Sequence, residues 1–233
     1  MITRRTALAI GLGSLAGCIS PRQPGERLLY ADDFRSGLGA WTVEAEQPGR
    51  IVAADGWLDV DVPAGTSLWY RQPLAAPVAI EFFVTAVAEG GPNDEVSDIN
   101  CFWMASDGEA PDGEPVLKPR TGAFAEYDTL RTYYAGIGGN RNSSTRFRRY
   151  VGVPGNRPLL PEHDLSRPAD LNEPNREYHL RLVAAGPRVE LLRDGIRLFS
   201  FRDAAPYERG YFAFRTTKSH LRFRDFKVFR LPT

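Results

Sequence analysis

Val189-Glu190-Leu191-Leu192-Arg193-Asp194-Gly195-Ile196-Arg197-Leu198-Phe199-Ser200-Phe201 is the stretch that decides the fold class. Two short β-prone runs, Val189–Arg193 and Ile196–Phe201, flank Asp194-Gly195. An Asp-Gly pair takes the positive φ angles of a two-residue hairpin turn, so the segment predicts two antiparallel strands. Tyr178–Val183 precedes the hairpin as another strand, and Gly210–Arg215 and Leu221–Phe229 follow it. Towards the N-terminus, Trp57-Leu58-Asp59-Val60-Asp61-Val62 alternates apolar and polar residues, the period of a half-buried strand. Pro77–Ala86, Ile99–Ala105, Leu130–Gly136 and Arg146–Val151 complete the set.

No segment keeps a 3.6-residue apolar period over a dozen residues, and no internal repeat is visible. About a dozen strands joined by turns predict an all-β, two-sheet β-sandwich or jelly roll. Composition agrees. Hydrophobic residues make up 42% of the 233 and charged residues 25%, which argues against a largely disordered chain. The 29 basic and 29 acidic side chains cancel, which disfavours a nucleic-acid binder. No apolar run is long enough to span a bilayer.

Arg4-Arg5-Thr6-Ala7-Leu8-Ala9-Ile10, followed by Leu15-Ala16-Gly17-Cys18, has the parts of an export signal: a positive start, a short apolar stretch and small residues before the cut. The paired arginines point to the twin-arginine route. Leu-Ala-Gly-Cys resembles a bacterial lipobox, with Cys18 as the lipidated residue. The chain therefore reads as a signal over 1–17, a tether over 18–27 and one sandwich domain over 28–233. The expected location is the periplasm or cell surface, with a lipid anchor as the only membrane attachment. Cys101 has no partner within the mature chain and reads as a small buried hydrophobe.

Charge is unevenly spread. Nine acids and no basic residue lie between Arg71 and Lys118, whereas eight basic residues and two acids lie from Lys118 to Arg157. Two surfaces that neutralise each other would explain this. So would an acidic loop for a cation beside an arginine-rich face for an anionic ligand. Within Gly90-Gly91-Pro92-Asn93-Asp94-Glu95-Val96-Ser97-Asp98-Ile99-Asn100, Asp94 and Asp98 offer hard oxygen donors suited to Ca²⁺. The spacing is not that of an EF-hand, and a plain polar turn is the competing reading.

On a strand, Arg131 and Tyr133 share one face, while Thr132 and Tyr134 share the other. Arg146, Arg148 and Tyr150 likewise share a face. Two such strands side by side would display Arg and Tyr on one surface, a combination suited to an acidic sugar. A charged outer face whose Arg stems cover apolar rings is the alternative. Of the three histidines, His163 lies between Glu162 and Asp164 in a long loop and His220 in the turn before the last strand. His179 lies inside a strand.

Gly91-Pro92-Asn93-Asp94, Ser97–Ala105, Leu130–Tyr134, Ser144–Tyr150, Arg157–Asp164 and Gly210–Thr216 resemble the YesU-like bacterial family. The resemblance runs from about Asp33 to the C-terminus. It implies a concanavalin A-like, laminarin-G-type sandwich and a place among gene sets that break down pectin-type polysaccharides. The C-terminal strand pair has a weaker likeness to the 3-keto-disaccharide hydrolase family.

One functional expectation is an enzyme on uronate-containing oligo- or polysaccharides. A lyase needs a base to take the proton α to the carboxylate and a cation to hold the enolate. His163 or Tyr133 would be the base, with Arg146 and its neighbours Arg131 and Arg148 on the carboxylate. A hydrolase would want a carboxylate pair such as Glu162 with Asp164 or Glu126 with Asp128. The alternative is a non-catalytic glycan-binding lipoprotein, with Trp103, Tyr133, Tyr134 and Tyr150 stacking on sugar rings. Asn100, Arg215 and His220 complete the expected substrate contacts.

Overall fold

The computed structural model describes residues 24–110 and 113–232. The expected export signal, Cys18 and most of the expected tether lie outside these residues. The strands are β1 (Arg27–Asp32), β2 (Trp41–Ala45), β3 (Arg50–Ala54), β4 (Trp57–Val62), β5 (Thr66–Tyr70), β6 (Leu74–Ala75), β7 (Val78–Ala86), β8 (Ile99–Ser106) and β9 (Gly108–Glu109). There follow β10 (Pro115–Val116), β11 (Arg131–Gly138), β12 (Ser144–Val151), β13 (Asp164–Leu165), β14 (Glu177–Ala185), β15 (Arg188–Arg193), β16 (Ile196–Arg202), β17 (Arg209–Thr216) and β18 (Ser219–Arg230).

Two eight-stranded sheets face each other. Sheet I has the order β16-β15-β14-β7-β18-β4-β3, with β1 beside β18. Sheet II has the order β13-β12-β11-β8-β17-β5-β2, with β6 beside β17. The pairings are antiparallel throughout, as in β7–β14, β11–β12 and β8–β17. This is the all-β two-sheet sandwich that the strand pattern predicts. The β15–β16 hairpin forms as read, with Asp194 at φ 52° and Gly195 at φ 77°.

Alternation sets the layers. Leu58, Val60 and Val62 of β4 turn inward from sheet I, together with Ile80, Phe82 and Val84 of β7. Trp41, Phe212 and Phe214 meet them from sheet II, where Trp41 stacks on Phe214 with ring centroids 5.0 Å apart. Burying this apolar surface drives the sandwich together. Cys101 is buried in the same core. Glu26, from the expected tether, is itself engaged: its carboxylate pairs with Arg181 on the outer face of sheet I, and Arg181 also pairs with Glu81.

Sheet II has a second, smaller core on its outer face. Residues 117–130 fold across it, and Tyr127 and Phe124 cover Trp69, Phe102 and Ala213. Tyr127 and Phe102 stack at 5.3 Å. Glu44 of β2 anchors this cover. Its carboxylate accepts from the Trp69 indole, the Tyr127 hydroxyl and the Arg120 amide, each at 2.8 Å. The cover stops at Phe124 and leaves the β11–β12 end of the face open.

Candidate functional site

The open part of that face is a cleft of about 300 Å³. Its floor comes from β8 and β11, its basic wall from β12 and the loop after it, and its rim from the β11–β12 turn. The turn is unusual: Asn140, Arg141 and Asn142 all lie in the left-handed region, with φ of 53°, 58° and 58°. Such backbone persists where surrounding contacts over-determine it. Here Asn142 and Asn172 clamp each other, side-chain nitrogen to backbone carbonyl (2.8 Å) and backbone amide to side-chain oxygen (2.9 Å). The Asn172 amide also donates to the Ile137 carbonyl at 3.0 Å.

The β11–β12 register decides which side chains enter the cleft. Tyr134 lies opposite Arg148, Gly136 opposite Arg146, and Tyr133 opposite Arg149. Tyr134, Arg146 and Arg148 therefore share the outer face, and Asn100 of β8 lies opposite Gly136 on the other side. Arg131 and Tyr133, expected on the displayed surface with Arg146 and Arg148, are on the other face. Tyr133 is in the inter-sheet core, where its hydroxyl donates to Asp203 at 2.7 Å and accepts from the Tyr207 amide at 3.1 Å. Trp103 packs beside it at 5.6 Å. Neither ring can stack on a sugar, because each is fully buried between the sheets. Arg131 lies over the Tyr207 ring at the opposite end of β11, in a separate cleft.

The remaining candidates divide similarly. Tyr150 is fully buried against Tyr134 and Phe102, beneath the cleft. Arg215 lies cross-strand from Asn100 but under the covering segment. It donates to Ser67 Oγ at 3.0 Å and the Gly122 carbonyl at 2.9 Å, and it stacks over Phe124 and Tyr127. Arg215 therefore pins the cover. His163 is buried edge-on to Phe147, with a ring nitrogen 3.2 Å from the Ser200 carbonyl. It closes an apolar gap with Phe199 and Phe201, away from the cleft. His220 bridges Asp94 and Asp59 at 3.1 and 3.0 Å on sheet I.

The two acids expected to hold a cation do not assemble a cage. Asp94 accepts from the Glu89 and Gly91 amides at 2.7 and 2.8 Å and faces His220. Asp98 accepts from Thr217 at 2.7 Å, Ser97 at 3.0 Å and Asn100 at 3.2 Å. Among the described residues no three His, Cys, Asp or Glu side chains come together as metal ligands. Asp98 instead forms the acidic corner of the cleft, and it is the one carboxylate among the described lining residues.

The basic wall is not uniformly neutralised. Arg146 forms a two-point pair with Asp164, at 2.8 and 3.2 Å. Arg157 approaches Asp128 at 3.4 Å and lies over Phe124 at 5.0 Å. Arg148 lies between them, donates to the Arg157 backbone carbonyl, and has no acidic partner among the described residues. Burial, and then the like charges of Arg146 and Arg157, push the Arg148 guanidinium below its ordinary value, yet an arginine so shifted still carries its charge at neutral pH. Burial pushes the Tyr134 phenol up, so its hydroxyl keeps its proton. Arg157, Phe124, Gly136 and Thr217 complete the cleft without having been singled out from the sequence. Arg157 alone left a trace there, as the end of the basic stretch.

Residues 60–226 match a family described as a domain of unknown function (DUF6250). The chain belongs to that family. No curated protein matches it. Among solved structures, a protein of unknown function with a galectin-like fold from Bacillus subtilis is 18% identical, with a TM-score of 0.63 over 86% of this chain and 94% of the other. The carbohydrate binding module CBM66 from Bacillus subtilis is 12% identical, with a TM-score of 0.54 over 81% and 94%. The endo-β-1,3-glucanase from Pyrococcus furiosus is 8% identical, with a TM-score of 0.53 over 89% and 95%. At these identities the likeness establishes the fold of this DUF6250 member, a galectin-like sandwich.

Proposed function

We propose that this DUF6250 protein binds an acidic, uronate-containing saccharide in the sheet II cleft, with Arg148 receiving the carboxylate. One observation carries the reading: a partly buried guanidinium, flanked by two other arginines, faces the cleft without an acid of its own among the described residues. A charge so placed is stabilised by an anion that brings two coplanar oxygens. Phe124 gives the cleft an apolar end wall, and Asp98 gives it an acidic corner.

Three further points support a glycan over another anion. The fold neighbours include a carbohydrate binding module and a glucanase. The segments that resemble the YesU-like family, Ser97–Ala105, Leu130–Tyr134 and Ser144–Tyr150, supply the floor and basic wall. The export signal would place the protein where polysaccharide is met. Binding is favoured over cleavage because His163 and Tyr133, the expected bases, lie outside the cleft. A second carboxylate for hydrolysis is also missing from the described lining.

The test is titration calorimetry of the purified protein against matched acidic and neutral oligosaccharides. Each mixture is then assayed for product masses and for the ultraviolet absorbance of an unsaturated uronate. Saturable binding of acidic glycans without products is the expected result. Products would transfer the role of base to Asp98 or Tyr134, and equal affinity for neutral glycans would remove Arg148 from recognition.

A further inference from the structure

Gly136 occupies the middle of the cleft floor, inside strand β11. Its φ is not in the left-handed region, so the backbone does not require glycine there. A glycine within a strand costs conformational entropy and packs nothing, so a close approach is the remaining reason for it. A Cβ at Gly136 would lie 2.7 Å from the Tyr134 hydroxyl and 2.9 Å from Asn100 Oδ1. The Tyr134 and Asn100 side chains thus converge over Gly136 and leave no room for a Cβ.

Neither atom is committed elsewhere in the way its neighbours are. The Asn100 side-chain nitrogen donates to Asp98 at 3.2 Å, which fixes the amide with its oxygen turned away from Asp98. Among the described residues that oxygen finds no donor, although Asn100 is only 2% exposed. A buried carbonyl without a donor is costly and calls for one. The Tyr134 phenol keeps its proton and can both donate and accept. Asp98, by contrast, already accepts from Ser97, Asn100 and Thr217.

We propose that this floor is a subsite for one hydroxyl of the bound saccharide, seated against the two polar side chains that converge over Gly136. That hydroxyl donates to Asn100 Oδ1 and accepts from the Tyr134 phenol. Arg148, opposite Tyr134 on β12, grips the carboxylate of the same sugar. Directly opposite residues in a ladder have Cβ atoms about 5 Å apart, so Tyr134 and Arg148 can both reach one sugar residue. The subsite rests on the acidic-saccharide reading. It adds a requirement: the ligand is a hydroxyl-bearing uronate, and a bare ring carboxylate does not suffice.

Calorimetry with trimers of galacturonate, guluronate and mannuronate tests this, with cyclohexanecarboxylate as the acid that lacks hydroxyls and a galactose trimer as the neutral control. Wild-type protein is expected to prefer one uronate trimer over cyclohexanecarboxylate by at least about tenfold, the worth of one good hydrogen bond. Tyr134→Phe and Asn100→Ala should each lower affinity for that trimer about tenfold and leave the weak cyclohexanecarboxylate binding unchanged. Gly136→Ala should lower it further. Tyr134→Phe keeps the ring, and a thermal melt checks that it folds. If Tyr134→Phe and Asn100→Ala bind the trimer normally while Arg148→Gln does not, the floor subsite is overturned and the acidic reading stands. If the neutral trimer binds as well as the acids and depends on Tyr134, the acidic reading fails and the floor survives. No binding of any saccharide overturns both.

Discussion

Tyr134 and Arg148 are direct partners in the β11–β12 ladder, and both line the cleft on the outer face of sheet II. A phenol and a guanidinium without an acidic partner among the described residues, held side by side on rigid strands, form a fixed contact pair. Arg148→Gln is expected to weaken binding of a uronate oligosaccharide by about 10- to 100-fold, the worth of a charge-assisted hydrogen bond. Arg148→Lys should recover only part of it, because an ammonium lacks the planar fork. Calorimetry at low and high salt gives a second check: raising the salt should weaken the wild type more than Arg148→Gln. Identical affinities for wild type and Arg148→Gln would end the role assigned to this side chain.

Tyr133, one residue away, should behave in the opposite manner. Its hydroxyl joins Asp203 and the Tyr207 amide inside the core. Tyr133→Phe leaves both groups short of a partner. It should cost about 1–3 kcal/mol in urea unfolding. Saccharide affinity should not change. A variant that kept its stability and lost binding would place Tyr133 at the ligand, against its burial.

The contrast between these two tyrosines marks what could be read from the sequence. The β15–β16 hairpin was legible because Asp194-Gly195 specifies its own turn and the flanking runs need no other element. The side to which β11 presents Tyr134 was not legible, since Thr132, Tyr133, Tyr134 and Ala135 are all buried and no polar alternation separates inside from outside. β8 hides its faces in the same way: every residue from Ile99 to Ser106 is buried, because residues 117–130 cover the side that would otherwise meet water. Trp103 accordingly reads as a binding aromatic and packs as core. β2, β3 and β5 are five residues each and escape notice for a related reason. Arg146 and Arg148 are visible as a pair because β12 alternates, but the tyrosine beside Arg148 is Tyr134, not Tyr133. The partners of His163, His220 and Arg215 lie 37 to 161 residues away in sequence, beyond any local pattern.

The cover over sheet II depends on Glu44. Replacing it with alanine leaves the Trp69 indole, the Tyr127 hydroxyl and the Arg120 amide without their acceptor. Each unsatisfied buried donor costs about 1–3 kcal/mol, so Glu44→Ala should destabilise the fold by roughly 3 kcal/mol or more. Urea unfolding followed by tryptophan fluorescence reports the loss. Hydrogen exchange should show it first in residues 117–130, the segment that Glu44 ties down. Unchanged protection there would mean that aromatic packing alone holds the cover.

Acid should unfold the protein through the carboxylates that the fold keeps ionised. Burial alone would raise the Asp203 carboxyl, but the Arg149 guanidinium, the Ala205 amide and the Tyr133 hydroxyl outweigh it and hold it below its ordinary 3.8. Burial likewise works against ionisation of Asp107, where the Arg120 guanidinium and the Lys118 amide prevail. At Asp94 it is the Gly91 and Glu89 amides and His220 that overcome burial. A carboxyl depressed in the folded state binds fewer protons there than in the unfolded chain near and below 3.8. Its stabilisation is therefore complete above the unfolded value and disappears as pH falls through the folded one. The urea midpoint should change little on this account from pH 7 to about pH 5, then fall steeply below about pH 4. Asp203→Asn should start from a lower midpoint and lose less on acidification, since one of the depressed carboxylates is gone. A midpoint that held steady to pH 3, or an acid limb equally steep in Asp203→Asn, would remove Asp203 from the linkage and leave Arg149 without a demonstrated partner.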